Sequence, residues 1–277
     1  MLREFPLPDP LAGPAGRWLD GAAEVAPPRR AATVVLVRDT DAGIEVFLLR
    51  RHLTMAFAGG MHVFPGGGVD PRDSGDDVPW AGPDVDTWGR ELGTHPEAAR
   101  GFVSAAVRET FEECGVLLAG PGPAAPLCEP VGDDWEDERR RLVSRERALS
   151  QVLRDRGLVL RSDLLRPWAH WTTPEFEPRR YDTRFLLARL PVGQDARHVE
   201  EGEATESGWW RPVDVLDRYV RGEVLMLPPT LVTLEELAAA PDTATLWAAP
   251  RVLREVLPWL DRRDGRPVLV ADLPVAP

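Results

Sequence analysis

The chain alternates between short, almost wholly apolar runs and longer amphipathic ones. Residues 31–38 (AATVVLVR) and 44–51 (IEVFLLRR) are apolar and rich in β-branched side chains, with DTDAG between them, which predicts a β-hairpin. Residues 61–64, 183–190 (TRFLLARL) and 206–210 (ESGWW) predict further strands, the last one ending before Pro212. Longer apolar periodicity predicts helices over 97–114, 135–156, 212–221 and 230–239, with a short one near 251–257. Strands with helices between them and no internal repeat predict an α/β domain.

The helix over 97–114 carries an unusual cluster. Within AAVRETFEECGVLL (105–118), Glu109, Glu112 and Glu113 stand beside Arg108 in an otherwise apolar run. Residues three and four apart share a helix face, so Glu109 meets both other glutamates within one turn. Each like-charge pair costs roughly a few tenths of a kcal/mol, and Arg108, four before Glu112, offsets only part of it. A solvated acidic face is one account of the cluster. A cation held among the carboxylates is the other, and hard oxygen donors favour Mg²⁺ or Mn²⁺ over softer ions. Thr94 and Glu97 have the spacing of a capping box, Pro96 is tolerated in a first turn, and Gly115 can end the helix with φ > 0.

Upstream, MHVFPGGGVD (61–70) reads as a short buried strand stopped by Pro65 and three glycines. Without Cβ atoms, that backbone can approach a ligand or metal closely. A glycine-rich loop followed by a helix with R-E-x-x-E-E-x-G resembles the Nudix hydrolases, whose box reads G-x5-E-x7-R-E-U-x-E-E-x-G-U with U apolar. Gly67 matches the first glycine, and Arg108, Glu109, Glu112, Glu113, Gly115 and Val116 match the second half. Thr110 stands where an aliphatic residue is usual.

Two departures are larger. Arg108 stands 41 positions after Gly67 where the box has 14, so an insertion of 27 residues splits it. Arg100 also takes the place of the early glutamate, a structural partner of the loop in the family; Glu97 or an insertion aspartate such as Asp70 or Asp73 could substitute. The insertion falls within 69–96, a stretch rich in Pro, Gly and Asp that reads as a loop. Trp80 and Trp88 either anchor it or form a substrate platform for an adenine or an acyl chain.

The segments 48–70, RRYDTRFLLA (179–188) and LPPT (227–230) resemble the branch that holds the peroxisomal coenzyme-A diphosphatase of animals and its bacterial relatives. Against the other coenzyme-A diphosphatase pattern, L-L-T-x-R-[SA]-x3-R-x3-G-x3-F-P-G-G, Arg51, Gly60 and 64–67 fit, but its second arginine falls on Ala56 and its serine on His52. The resemblance covers roughly 30–240 and implies a Nudix-type α/β/α sandwich with a mixed β-sheet there. It leaves 1–29 as an N-terminal extension and 241–277 as a C-terminal extension packed on the domain.

Composition narrows the partners. With 277 residues and 43% hydrophobic content the chain can bury a full core. A net charge of −12 argues against a nucleic-acid or anionic-membrane surface. No apolar run reaches membrane-spanning length and the N-terminus lacks a signal-peptide core, so a cytoplasmic protein is expected. Cys114 and Cys128 have no zinc or disulfide spacing and read as free thiols. There is no lysine, so every cationic side chain is arginine and arginine abundance alone says little about phosphate binding.

The resemblance implies metal-dependent hydrolysis of a nucleoside diphosphate linked to another group, with coenzyme A or acyl-coenzyme A expected as the small-molecule substrate. Glu109, Glu112, Glu113 and the Gly66 carbonyl are the expected ligands of Mg²⁺ or Mn²⁺, with Arg108 orienting a glutamate. Glu112 is one candidate base. A loop glutamate among Glu200, Glu201, Glu203 and Glu206 is the other, Glu206 being the first choice because it adjoins the Trp209–Trp210 strand. A diphosphate needs cations, and Arg51, Arg180 and Arg184 are the candidates. ADP-ribose or a dinucleotide as substrate, a non-catalytic nucleotide-binding module, and a homodimer all stay open on sequence alone.

Overall fold

The computed structural model describes residues 1–7, 9–21, 24–55, 58–123, 125–199 and 204–274. After β1 (Leu2–Phe5) and α1 (Asp9–Leu19) the predicted hairpin forms, as β2 (Arg29–Thr40) and β3 (Gly43–Arg51). The glycine-rich segment yields β4 (His62–Val63) and β5 (Gly66–Gly68). A 3₁₀ turn (Pro71–Ser74), β6 (Trp80–Ala81) and α2 (Val85–Leu92) then lead to α3 (Pro96–Cys114), the glutamate-bearing helix. β7 (Ala119–Gly120), α4 (Asp133–Val143), α5 (Leu149–Asp155), β8 (Val159–Arg161), β9 (Leu165–Thr172) and β10 (Tyr181–Arg189) follow. The chain finishes with β11 (Ala204–Trp210), α6 (Pro212–Val220), α7 (Pro228–Ala239), α8 (Thr243–Ala248), β12 (Glu255–Val256), β13 (Trp259–Arg263) and β14 (Arg266–Asp272).

The main sheet runs β11-β3-β2-β10-β9-β12, with β4 on β3 and β5 on β2. It is mixed: β10 lies parallel to β2 and β12 to β9, and the other pairs are antiparallel. Its central strands are apolar on both faces because helices cover both. Val34, Leu36, Phe47, Leu49 and Leu186 point into one core with Phe102, Val103 and Ala106 of α3. Their neighbours Val35, Val37, Val46, Leu48 and Leu187 point into a second core with Val215 of α6, Leu231 and Leu234 of α7 and Leu246 of α8. This period-two division produces the α/β/α sandwich.

Several local expectations need correcting. The helix expected over 135–156 is two, α4 and α5, separated at Arg145, which adopts φ 60°. The residues near 251–257 supply β12 instead of a helix, and pairing with β9 outweighs their weak periodicity. The Thr94 capping box does not form: the N-cap is His95, and the Thr94 amide donates to the Gly89 carbonyl at 2.9 Å. Gly115 does end α3, with φ 74°.

The insertion is folded. Its 3₁₀ turn packs on α3 at Gly101, where a Cβ would fall 2.5 Å from the Ser74 hydroxyl, and Trp88 and Leu92 of α2 are buried in the α3-side core. The two ends of the chain meet in a second sheet, β1-β14-β13, with Leu2 opposite Asp272. Among the described residues no helix is long and apolar enough to cross a membrane.

Candidate active site

The three glycines of β5 let this strand lie between β2 and α3. A Cβ on Gly66 would fall 2.4 Å from the Ala32 carbonyl oxygen, and one on Gly67 would fall 2.5 Å from Glu109 Oε1. Backbone therefore presses directly on the carboxylates. The Gly66 amide donates to Glu113 Oε2 at 2.6 Å, so the contact this residue makes with the cluster is through its N–H.

Arg108 organises the rest. Nη1 donates to Glu109 at 2.7 Å and to Glu112 at 3.2 Å, and Nη2 donates to the Gly68 carbonyl at 2.8 Å. The remaining donors go to Asp73 in the insertion, from Nε at 3.1 Å and Nη2 at 2.9 Å. Asp73 is buried and also accepts the Asp70 amide at 2.9 Å. An insertion carboxylate thus anchors the arginine of the split box. Arg100, at the position of the missing glutamate, instead lies 3.5 Å from Asp76 and 5.6 Å from the Trp80 ring centre.

Burial sets the electrostatics. It pushes the Glu109 carboxyl up to about 7, with Arg108 opposing the shift and Glu112 adding to it. Glu112 is raised for the same reason, against the pull of Arg108 and, more weakly, of Arg145. Burial also raises Asp73, again opposed by Arg108. Burial works against the charge on Arg108, but Glu109 and Asp73 outweigh it and hold the guanidinium protonated. Asp70, hydrogen-bonded to Arg72, is lowered to about 2.

Asp70, Arg108, Glu109, Glu112 and Glu113 line a cavity of about 1030 Å³, with Asp73 behind Arg108. Arg29, Arg30, Arg51, Arg72 and Arg145 contribute cationic lining. Phe64, Trp171, Phe176, Leu227 and Pro228 give apolar lining, and Leu11 and Leu269 extend it from α1 and β14. The terminal segments, which sequence reasoning left without a role, therefore complete the cavity wall.

Of the expected site residues, Arg108, Glu109, Glu112, Glu113, Gly66 and Arg51 come together on this cavity. Others do not. Trp88 is buried in the core, and the Trp80 indole donates to the Pro83 carbonyl at 2.7 Å, so neither lines the cavity. Arg180 is buried and clamps the carbonyls of Thr173 and Ala26 at 3.0 and 2.9 Å. Arg184 is buried between Asp182, the Leu92 carbonyl and the Phe102 ring. Both are structural ties that polar strand ends could not reveal in a sequence. Glu206 is exposed on β11, 4.0 Å from Arg50, and does not line the cavity. Glu200, Glu201 and Glu203 lie outside the described residues, whose flanks Val199 and Ala204 border a small hollow with Arg51 and Glu113.

Among the described residues no three carboxylate, imidazole or thiol groups are disposed as they stand to hold a metal ion. Arg108 sits between Glu109 and Glu112, and Glu113 is turned to the Gly66 amide. The donor set still suits a hard divalent cation: a buried and a half-buried carboxylate whose charged forms are disfavoured, a third beside them, and a glycine backbone leaving no Cβ in the way.

Comparison with known proteins gives a consistent picture. A family model described as the NUDT19 Nudix domain matches residues 89–237. The acyl-coenzyme A diphosphatase NUDT19 of Gallus gallus is 27% identical over 229 residues, covering 69% of this chain and 60% of that protein. The Homo sapiens protein of the same name is 28% identical over 239 residues, covering 71% and 61%. The chain thus spans about three-fifths of the length of these curated relatives. A crystal structure of a NUDIX hydrolase from Alicyclobacillus acidocaldarius superposes with TM-score 0.66 at 30% identity, covering 83% of this chain and 99% of the other.

Proposed function

The chain belongs to the Nudix hydrolase family, in the group defined by the NUDT19 Nudix domain, and from that premise we propose that it hydrolyses the diphosphate of acyl-coenzyme A. The observation that carries this reading is one cavity lined both by the α3 glutamates and by Phe64, Trp171, Phe176 and Leu227. A substrate that joins a diphosphate to a long, largely apolar arm has the matching polarity. The likeness to relatives named as acyl-coenzyme A diphosphatases supports the same choice.

In this reading Glu109, Glu112 and Glu113 would hold Mg²⁺ or Mn²⁺. When bound, such a cation supplies Lewis-acid polarisation of the phosphoryl oxygens and acidifies water. Glu112 accepts the proton of the attacking water at its carboxylate. Glu206, exposed beside Arg50, is set aside as the base. The Gly66 amide orients Glu113, and Arg108, braced by Asp73, orients Glu109 and Glu112. Arg51 is a cation for the diphosphate itself.

The test is a panel of acyl-coenzyme A, coenzyme A, ADP-ribose and dinucleotides, incubated with Mn²⁺ and read by product mass. Acyl-coenzyme A should give adenosine 3′,5′-bisphosphate and an acyl phosphopantetheine. Preferential cleavage of ADP-ribose or a dinucleotide would overturn the substrate, and binding without any cleavage would overturn the hydrolase.

A further inference from the structure

The break between α4 and α5 has no glycine or proline to cause it: the chain there reads LVSRERA, 142–148, and Arg145 takes φ 60°. Side chains with a Cβ rarely adopt that angle, and where one does the surroundings must hold it there. Here they do. The Arg145 amide donates to the Leu142 carbonyl at 2.8 Å, and Arg72 of the insertion donates through Nη1 to the Arg145 carbonyl at 3.1 Å. A glycine would occupy the turn without strain. The position instead carries an arginine, and it lines the cavity.

The neighbouring acids are committed elsewhere. Glu146 accepts from Arg141 at 3.1 Å, Glu138 from Arg147 at 2.8 Å, and Asp137 pairs with Arg140. The Arg145 guanidinium has no hydrogen bond or ion pair among the described residues, nor have those of Arg29 and Arg30 on the same cavity. Arg145 pulls only weakly on Glu112, and in a chain of net charge −12 with arginine–carboxylate pairs throughout, three cations on one cavity that form no ion pair among the described residues stay available to an anion. Arg108, the cation closest to the glutamates, is already shared among Glu109, Glu112 and Asp73. It has little left for a substrate phosphate.

We propose that Arg145 is a substrate-binding residue whose guanidinium takes a phosphate group of the substrate at the rim of the cavity, aimed there by the left-handed turn and by Arg72. The diphosphate and a separate phosphomonoester offer the same chemistry to a guanidinium fork. The inference rests on the hydrolase reading above only for which compound brings the phosphate.

Arg145→Gly suits the backbone angle and removes only the guanidinium. It should be compared with the parent in thermal midpoint and in calorimetric binding of adenosine 3′,5′-bisphosphate and adenosine 5′-monophosphate without metal. Kinetics on coenzyme A and dephospho-coenzyme A with Mn²⁺ complete the set. The midpoint should stay level or rise, bisphosphate affinity should fall about ten- to a hundredfold, and KM on coenzyme A should rise by a similar factor. The kcat should stay within about twofold. A loss confined to the bisphosphate and coenzyme A assigns the contact to the phosphomonoester, and an equal loss on all four compounds assigns it to the phosphate they share; either supports the proposal. Unchanged affinity and KM, or a parent that binds neither nucleotide, overturns it. If the parent cleaves neither coenzyme, the hydrolase reading is judged on the acyl-coenzyme A panel above while the calorimetry still decides the role of Arg145.

Discussion

A single guanidinium, that of Arg108, connects two glutamates of α3, a carbonyl of the glycine strand and an aspartate of the insertion. Removing the charge of Asp73 leaves a buried cation short of a partner. Asp73→Asn should therefore cost about 3 kcal/mol in a denaturant titration and lower kcat as Arg108 shifts. Glu109 makes a pH prediction. Its folded pKa, about 7, lies above the ordinary carboxyl value, so the folded state binds the extra proton and its contribution to stability is lost as pH rises through that range. Metal-free parent should lose of the order of 3 kcal/mol between about pH 4.5 and 7 relative to Glu109→Gln, measured as the difference of their thermal midpoints. Excess Mn²⁺ should oppose this loss, because the metal binds the ionised form. Spacing puts the glutamates and Arg108 on one helix face, since i, i+3 and i+4 share it, and the resemblance to the Nudix box makes that face a candidate metal site. Asp73 could be named only alongside Asp70 and Glu97, because its place beside Arg108, 35 residues later, depends on the path of the whole insertion.

Elements with a local signature could be anticipated: the β2–β3 hairpin from its turn, α3 from its periodicity and Gly115, β10 from its apolar run. Elements decided by tertiary contact could not. Arg145 breaks a continuous helical pattern without a breaker residue, β12 exists because β9 offers an edge, and Trp80 and Trp88 stay open between anchor and platform because an aromatic ring carries no mark of which side it will face. The insertion is therefore a structural part of the α3-side core and not a detachable loop. Replacing 72–93 with a Gly/Ser linker removes Asp73, Trp88 and Leu92 together. It should lower the thermal midpoint by well over about 10 °C or abolish cooperative unfolding, followed by circular dichroism. A shortened protein with the parent's midpoint would contradict this packing.

Across the whole molecule, the two chain ends meet in the sheet β1-β14-β13 and send Leu11 and Leu269 to the cavity that α3 lines from the other side. The family model matches residues 89–237, so Leu11 and Leu269 come from segments outside it, one on each side. Leu11, half-buried on α1, should matter to the arm of the substrate and not to the diphosphate. Leu11→Ser should raise KM for a long-chain acyl-coenzyme A by up to about tenfold while leaving that for coenzyme A nearly unchanged. A comparable rise on both would place the arm elsewhere. The central claim, that the α3 glutamates serve diphosphate hydrolysis in this cavity, is tested most directly by Glu112→Gln. Its acyl-coenzyme A turnover with Mn²⁺, followed as adenosine 3′,5′-bisphosphate released, should fall at least about a hundredfold below the parent with substrate affinity kept. A folded Glu112→Gln protein that releases the bisphosphate at the parent's rate would contradict the claim.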